Sequence, residues 1–353
     1  MSLLPPQQSE QLSLFHRQYA QLLNVDLLAF PSTDSLRNSA FQSVLYATLF
    51  DETEVHHPPP ERYQLRVLKE LVARIESSVV DPEEDEVSDD LVSRLATLLA
   101  SPLPPEFTSA QQKSYVTYML PPAEESAEEP KSVTVMESRT LISSSGTTGL
   151  RTWEAALRLG AYLSSSAGMR LVQGKRVLEL GAGTGFLSVL CAKHLGATHV
   201  LATDGDEGIV RDLGVNMALN GLEEEKVDTA ALWWGRDLVQ AGSGTFASAA
   251  YDVVLGADVT YDASVVPSLV STIRDLMELN PYAKVIIAAT IRNEQTFEAF
   301  ISACRANKFS FEDIWFNVLP LEQQRGFFHP TSTPIRILSI TRAKAKSSLT
   351  PCS

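Results

Sequence analysis

Residues Lys175 to Gly185 read K-R-V-L-E-L-G-A-G-T-G, and this stretch decides the fold. Its apolar start, Arg176 to Leu178, predicts a short strand, and the residues from Phe186 to Leu195 predict a helix. The turn between them is rich in glycine, which allows positive φ and leaves no Cβ between the backbone and a ligand. The stretch therefore predicts a nucleotide-type cofactor loop between a strand and a helix.

The spacing of the glycines narrows the cofactor. A dinucleotide-binding loop has the pattern G-x-G-x-x-G, which seats a pyrophosphate on the helix N-terminus. Here Gly181, Gly183 and Gly185 are two residues apart, and Phe186 takes the place of the third dinucleotide glycine. Glu179 stands two residues before the first glycine. The pattern E-x-G-x-G-x-G resembles motif I of the class I, seven-strand methyltransferases, and this resemblance implies S-adenosylmethionine, which has no phosphate, as the cofactor.

A second strand, 198–203, follows the predicted helix and ends at Asp204. An acid placed about twenty residues after the glycines can accept hydrogen bonds from both hydroxyls of a ribose. Enzymes that bind NAD place an acid at the same point, so Asp204 alone does not separate the two cofactors. Asp206 follows so closely that it is a second candidate for the ribose.

Further patterns continue the alternation of strands and helices. A helix is predicted over 207–220, where Asn220-Gly221 is a helix-stop pair. The fourth strand, Tyr251 to Gly256, is expected beside the first, so that their C-terminal ends border the ligand crevice. The other predicted elements are strands over 227–232 and 284–289, a helix over 294–308, and a closing hairpin of 311–318 with 334–341.

Tryptophans stand near the predicted crevice. Trp153 follows a glycine-bearing loop, and it is either a core residue of the next helix or part of a loop that closes over the ligand. The apolar residues on one face of that predicted helix are Trp153, Ala156, Leu157, Ala161 and Tyr162. Trp233 and Trp234 follow the third strand, where an aromatic ring can stack on adenine or pack against the sheet edge. We expect at least one of the two to contact the ligand.

The N-terminal third predicts amphipathic helices. One begins behind Ser9 as a possible cap, one covers 36–50, one covers 65–75, and one follows Ser88. Their apolar faces predict a small helical core. Strands over 114–120 and 132–136 are then expected to form a hairpin around a polar, proline-bounded loop. The predicted division is a helical domain over 1–112, a hairpin and linker over 113–145, a catalytic domain over 146–342, and a disordered tail over 343–353.

Composition excludes several classes of protein. The net charge of -14 argues against a broad nucleic-acid footprint and suits a basic protein surface as partner. Three widely spaced cysteines without any C-x-x-C indicate neither a disulfide framework nor a zinc site, and the histidines lack ligand spacing. The N-terminus lacks the features of a signal peptide, and no apolar run is as long as a bilayer span. We therefore expect a cytoplasmic protein that binds no metal and no membrane and is a monomer.

Five motifs together look like the family of lysine methyltransferases that modify non-histone proteins. They are T-G-L-R-T-W-E-A-A, L-E-L-G-A-G-T-G, A-T-D, L-W-W-G and G-A-D-V-T-Y. The helical N-terminal region and hairpin are most similar to the branch that methylates translation elongation factor 2. The resemblance implies a Rossmann-like seven-strand α/β sheet and a lysine of that factor as acceptor. The cofactor-binding residues that it implies are Trp153, Glu179, Gly181, Ala182, Gly183, Asp204, Trp234 and Ala257.

The same resemblance implies that Asp258 and Tyr261 hold the substrate lysine. The alternative for Asp258 is a helix cap in the loop after the fourth strand. Two other functions remain open at this point. One is methylation of another protein residue or of a small molecule, although A-D-V-T-Y is not the N-P-P-Y motif that favours amide or base nitrogens. The other is a protein that binds S-adenosylmethionine without catalysis. The acidic N-terminal domain is a candidate for docking the protein substrate.

Overall fold

The structure is a computed structural model that describes residues 4–81, 85–102, 112–121, 131–138, 148–236 and 250–343. Contacts divide the chain into two units: Met1–Arg151 with Leu319–Phe328, and Thr152–Val318 with His329–Ser353. The hairpin thus groups with the N-terminal helices. Most of the predicted polar loop over 121–130 and of the tail over 343–353 lies outside the described residues.

Five helices of the first unit follow the predicted amphipathic patterns. They are α1 (Pro6–Ala20), α2 (Thr33–Arg37), α3 (Ser39–Leu49), α4 (Glu61–Ser78) and α5 (Asp89–Ala100). The prediction that Ser9 caps the first helix is wrong. The helix begins at Pro6, and the backbone N–H of Ser9 already donates to the carbonyl of Pro5. Proline suits the first helical turn because its φ is preset and its missing N–H has no partner there.

The single helix predicted over 36–50 is two helices that meet at Asn38. Its backbone is extended, with φ -73° and ψ 117°, and its side-chain oxygen accepts a hydrogen bond from the N–H of Phe41. Asparagine competes with the helix for backbone hydrogen bonds in this way. Ser32 accepts likewise from Ser35 N–H at the start of α2. Both helices therefore start at polar caps that hydrophobic spacing alone does not reveal.

The core of the first unit contains a cluster of aromatic rings among leucine and valine side chains. Tyr19 is buried, lies 5.6 Å from the stacked ring of Tyr63, and meets the edge of Phe50 at 5.4 Å. The two strands predicted after the helices, β1 (Lys113–Met119) and β2 (Ser132–Ser138), are confirmed as an antiparallel pair.

Residues 319–328 also belong to the first unit, although they lie between two strands of the second. Phe327 is fully buried with φ +50°, and Phe328 is 3 % exposed. The side-chain amide of Gln21 pairs with both backbone groups of Phe328, since its nitrogen donates to the carbonyl and its oxygen accepts from the N–H. A segment from the C-terminal part of the chain thus completes the N-terminal unit.

The second unit contains a seven-stranded sheet, which confirms the predicted class. The described strands are β3 (Arg176–Leu180), β4 (His199–Asp204), β5 (Val227–Ala231), β6 (Val253–Ala257), β7 (Lys284–Thr290), β8 (Phe309–Asp313) and β9 (Ile335–Arg342). Their order is β5-β4-β3-β6-β7-β9-β8, with β9 antiparallel to both neighbours. The sheet confirms that β6 lies beside β3. The C-terminal ends of the parallel strands therefore meet at one edge, where open α/β sheets bind ligands.

The helices of the second unit are α6 (Glu154–Leu163), α7 (Ser166–Val172), α8 (Phe186–Lys193), α9 (Glu207–Leu219), α10 (Val266–Leu279) and α11 (Glu294–Ala306). The predicted face of α6 is wrong in part, because the buried residues include Ala155 and Leu159 while Ala156 and Ala161 are half-buried. The predicted closing hairpin of 311–318 with 334–341 is also wrong at one end, because its first strand, β8, stops at Asp313. In the described part of the chain, no helix is both long and apolar enough to cross a membrane.

Candidate active site

The glycine loop follows β3 and leads into α8. Gly181, Gly183 and Gly185 have φ values of +62°, +55° and +79°, so the positive φ predicted for this turn is confirmed. At Gly181 an added Cβ would lie 2.9 Å from the side chain of Val259 and 3.3 Å from that of Trp234. Glycine is required here both for its conformation and for the close approach of neighbouring side chains.

Hydrogen bonds to β4 hold the loop. The N–H of Ala182 donates to the carbonyl of Thr203 over 2.8 Å, and the N–H of Gly183 donates to the carboxylate of Asp204 over 3.1 Å. Asp204 ends β4, and burial raises the pKa of its carboxyl. Asp204 and the glycine loop, which the sequence predicts to bind the same ligand, are therefore in direct contact.

Asp206, the second candidate for the ribose, begins α9. Its Oδ1 accepts from the N–H groups of Gly208 at 2.7 Å and Ile209 at 3.2 Å. These are the bonds of an N-terminal helix cap. The carboxylate of Asp204 also accepts from backbone N–H groups, those of Gly183 and Asp206, so the difference between the two acids is that Asp204 contacts the glycine loop and Asp206 caps α9.

Glu179 lies behind the loop. Its side chain is 3 % exposed and accepts a hydrogen bond from the hydroxyl of Ser188, in α8, over 2.5 Å. Burial raises the pKa of Glu179 to about 8. The carboxyl group therefore joins β3 to α8 and supports the turn from inside.

Replacing Glu179 with glutamine is expected to make stability less dependent on pH. The pKa in the folded protein, about 8, is above the unfolded value. The stability that this proton contributes is complete below about pH 4.3 and falls until about pH 8, by up to about 1.4 kcal/mol per pH unit. Urea unfolding at pH 5 and pH 8.5 measures the difference. The variant should gain stability relative to wild type at the higher pH.

Glu224, which is exposed, provides the matched control. Glu224→Gln should change stability by the same small amount at both pH values. Parallel pH profiles for wild type and Glu179→Gln would show that the buried carboxyl is already ionised.

The two tryptophans after β5 have different surroundings. Trp234 packs against Gly181 and Val259, and its indole nitrogen is buried without a hydrogen-bond partner among the described residues. Trp233 is 47 % exposed, and the guanidinium of Arg236 lies 4.8 Å from its ring. Trp234 is therefore the one beside the cofactor loop.

Trp153 stands immediately before α6 and is half-buried. The preceding hydroxyl, that of Thr152, is buried and lies 2.7 Å from the hydroxyl of Thr184 in the glycine loop. The start of α6 is thus attached to the loop. This position favours a role for Trp153 at the ligand over a role in the core of the helix.

Asp258 follows Ala257, the last residue of β6, and has φ +53°. Its Oδ1 accepts from the N–H of Thr290 over 2.8 Å, and its Oδ2 accepts from the Thr290 hydroxyl over 3.0 Å. The N–H of Ala155, at the start of α6, also donates to Oδ2 at 3.4 Å. The helix cap considered as the alternative role of Asp258 is therefore present in part, because the carboxylate accepts a hydrogen bond from the start of α6. The same carboxylate joins β6, β7 and α6. Tyr261, three residues later, is 59 % exposed.

Arg292 and Glu154 also lie beside Asp258, and no sequence motif identified either of them as a site residue. The guanidinium of Arg292 lies 2.6 Å from a carboxylate oxygen of Glu154 and 3.6 Å from Oδ2 of Asp258. It also lies 5.0 Å from the centre of the Trp153 ring. Its position in the sequence could have indicated such a role. Arg292 comes two residues after the C-terminal end of β7, and ligands bind at this edge of open α/β sheets.

The residues at this edge fit a nucleoside with an amino-acid tail. Asp204 offers a carboxylate for hydroxyl groups, the loop offers three glycines without side chains, and the indole nitrogen of Trp234 is a donor without a partner among the described residues. Within the described ranges, no group of three or more His, Cys, Asp and Glu side chains is placed to hold a metal ion. The other carboxylate, Asp258, lies beyond β3 from Asp204, and the two acids can therefore serve two different ligands.

Comparisons with known proteins agree with this arrangement. A family model described as lysine methyltransferase matches residues 137–306. Protein-lysine N-methyltransferase EFM3 of Chaetomium thermophilum is 47% identical over 334 residues, covering 94% of this chain and 98% of the relative. The EFM3 protein of Saccharomyces cerevisiae is 30% identical, with 88% and 94% covered. Protein-lysine N-methyltransferase EEF2KMT of Homo sapiens is 30% identical, with 87% and 88% covered.

Proposed function

Because the chain belongs to the family of protein-lysine N-methyltransferases, we propose that it methylates a lysine of translation elongation factor 2. S-adenosylmethionine is the methyl donor. The choice of acceptor protein is supported by the name EEF2KMT, which we take to denote elongation factor 2 lysine methylation. The observation that carries the proposal is that the glycine loop, Asp204 and Asp258 meet at the C-terminal ends of the neighbouring strands β4, β3 and β6.

The residues proposed to hold S-adenosylmethionine surround the glycine loop. Asp204 would accept hydrogen bonds from the ribose hydroxyls, and Trp234 and Trp153 would contribute aromatic surface. Gly181, Ala182 and Gly183 would let the ligand approach the backbone, and Ala257 would border the crevice. Glu179, which is buried against Ser188, would act on the cofactor through the shape of the loop. When bound, the cofactor supplies an electrophilic methyl group on a sulfonium.

Asp258 and Tyr261 are proposed to hold the acceptor lysine. Most of the acceleration can come from positioning, because an amine held about 3 Å from the methyl carbon reacts by direct displacement. A free lysine has a pKa of about 10.4, so the ammonium group must lose a proton before transfer. Asp258 would orient the incoming side chain while keeping its bonds to Thr290, and the exposed ring of Tyr261 would form a wall of the channel.

Other properties follow from this activity as further proposals. Elongation factors act in the cytoplasm, so we place the enzyme there, as a monomer that binds protein and not nucleic acid directly. The net charge of -14 suits a substrate surface that is rich in lysine and arginine. The first unit is the candidate docking region for the folded substrate.

Radiolabelled methyl transfer from S-adenosylmethionine into a eukaryotic cell extract tests the proposal. We expect one labelled protein, which mass spectrometry identifies as elongation factor 2 carrying methyl-lysine. The Gly183→Arg variant serves as the control without cofactor binding. Label on lysine in a different protein would keep the chemistry and reject elongation factor 2. Label on another residue type, or no label, would contradict lysine methylation itself.

A further inference from the structure

Arg292 brings a permanent positive charge to the proposed acceptor site. Its guanidinium contacts Glu154 at 2.6 Å, lies 3.6 Å from Asp258, and faces the ring of Trp153 at 5.0 Å. The side chain is 44% exposed, whereas that of Asp258 is 7% exposed. Arginine stays protonated at every pH at which an enzyme is assayed. Ion pairs among the described residues thus place this cation beside two carboxylates.

Other charged groups on the adjoining elements are engaged elsewhere or lie further along. Glu294 begins α11 two residues after Arg292. The hydrogen bond with Asp313 raises the pKa of Arg336, and the negative charge of Glu294 adds to this shift. Arg336 forms two short bonds to Asp313, at 2.7 and 2.8 Å. Tyr261 and Asp262 follow Asp258 on the loop after β6, and the carboxylate of Asp262 accepts from the N–H of Ser264. Among the described residues, Arg292 is thus a cation within ion-pair distance of both Asp258 and Glu154.

The reaction requires an uncharged amine at this place. Both carboxylates favour the ammonium form of an incoming lysine, since an opposite charge nearby raises the pKa of an amine. A like charge has the reverse effect. The two acids alone would hold the lysine tightly in its unreactive form.

We propose that Arg292 acts on the acceptor lysine through its charge and favours the neutral amine that accepts the methyl group. This inference rests on the proposed function and adds a residue to it. The lysine ammonium first releases its proton to water. The nitrogen lone pair then forms the N–C bond as the C–S bond of the sulfonium breaks, and that electron pair goes to sulfur. The product is a methylammonium with two N–H protons and the positive charge, and it leaves the site in this form.

The pH dependence of kcat/KM distinguishes this role from a structural one. Arg292→Met keeps an unbranched, flexible side chain and removes the guanidinium charge. Its profile should move to higher pH by about one unit, with roughly tenfold lower activity near pH 7.5 that recovers above pH 9. Arg292→Lys should keep the wild-type profile. Glu154→Gln should shift the profile in the opposite direction, because it removes a negative charge.

Proton release on binding provides a second readout without turnover. The enzyme is loaded with S-adenosylhomocysteine and titrated with the substrate protein in calorimetry buffers of different ionisation enthalpy. At the pH midway between the two profiles, wild type should release about half a proton more than Arg292→Met, because it favours the neutral amine. Equal release by both proteins would overturn the proposal. The proposal would also be overturned if Arg292→Met lowered the rate by the same factor at every pH, or if it lowered KM without shifting the pH profile.

The substrate in both measurements is the protein that wild type labels in the extract. An incorrect assignment of elongation factor 2 therefore changes the substrate and leaves the comparison of variants intact. Affinity for S-adenosylmethionine should be unchanged in all three variants, which checks that each remains folded.

Discussion

Replacing Gly183 with arginine is expected to abolish the binding of S-adenosylmethionine while the protein stays folded. Gly183 has φ +55°, and its N–H donates to Asp204 over 3.1 Å. A side chain at this position would occupy the approach to the loop and move the carboxylate proposed for the ribose. Calorimetry should show affinity reduced by at least about 100-fold, or ~2.7 kcal/mol. The strain of an L-residue with positive φ, about 1–2 kcal/mol, is small beside typical domain stability.

Gly174 offers a matched control for that strain. It has φ +71°, an added Cβ would meet no atom within 4 Å, and it precedes the N-terminal end of β3. Gly174→Arg should therefore have similar backbone strain and bind S-adenosylmethionine normally. Wild-type affinity in Gly183→Arg would show that the glycine loop is not the cofactor site.

Replacing Asp258 with alanine is expected to lower turnover at least tenfold and to leave cofactor affinity within about threefold, consistent with loss of a single polar contact at the acceptor. The change removes the carboxylate proposed to orient the lysine. It also removes the bonds to Thr290 and Ala155, and it places alanine at φ +53°. Asp258→Gly permits that φ, so the two variants separate loss of the carboxylate from backbone strain.

Thr290→Val is the control for the structural part of this role. It removes the hydroxyl that donates to Oδ2 and keeps the backbone bond to Oδ1. Its turnover should stay within about threefold of wild type, as expected for loss of one hydrogen bond that does not touch the substrate. Normal methylation by both Asp258 variants would show that the residue only joins β6, β7 and α6. In that case the acceptor site lies elsewhere on the sheet edge.

The cofactor half of the site was predictable because its information is local. Three glycines, the preceding strand and the following helix are contiguous in sequence, and Asp204 lies at the end of the next strand. The order of the strands follows from the general rules for α/β sheets. The contact between Asp204 and Gly183 is a consequence of two adjacent parallel strands ending at the same edge.

The acceptor half was predictable only as a motif. The partners of Asp258 are Thr290, 32 residues later, and Ala155, 103 residues earlier. Arg292 belongs to no pattern in its own segment. Such contacts depend on how the strands and α6 are assembled, so they appear only in the folded chain. The same limit applies to the buried hydrogen bond between Glu179 and the hydroxyl of Ser188, which the sequence did not predict.

Two predicted helix boundaries were wrong because a local backbone preference outweighed the hydrophobic spacing. Asn38 divided a stretch whose hydrophobic spacing indicated one helix, and Pro6 moved the start of α1 ahead of Ser9. The assignment of residues 319–328 to the first unit had no signal in periodicity at all, because it depends on a contact between distant parts of the chain.

That contact has a consequence for synthesis on the ribosome. Gln21 and Phe328 are 307 residues apart, so the amide of Gln21 lacks this partner, and the site that Phe327 fills stays empty, until about 300 further residues have been made. At about 5–20 residues per second this interval lasts roughly 15–60 s. The N-terminal helices therefore wait with part of their apolar surface uncovered, although they are the first to emerge. A nascent chain stalled before Leu319 should bind chaperones through this surface, which becomes covered once residues 319–328 have been made.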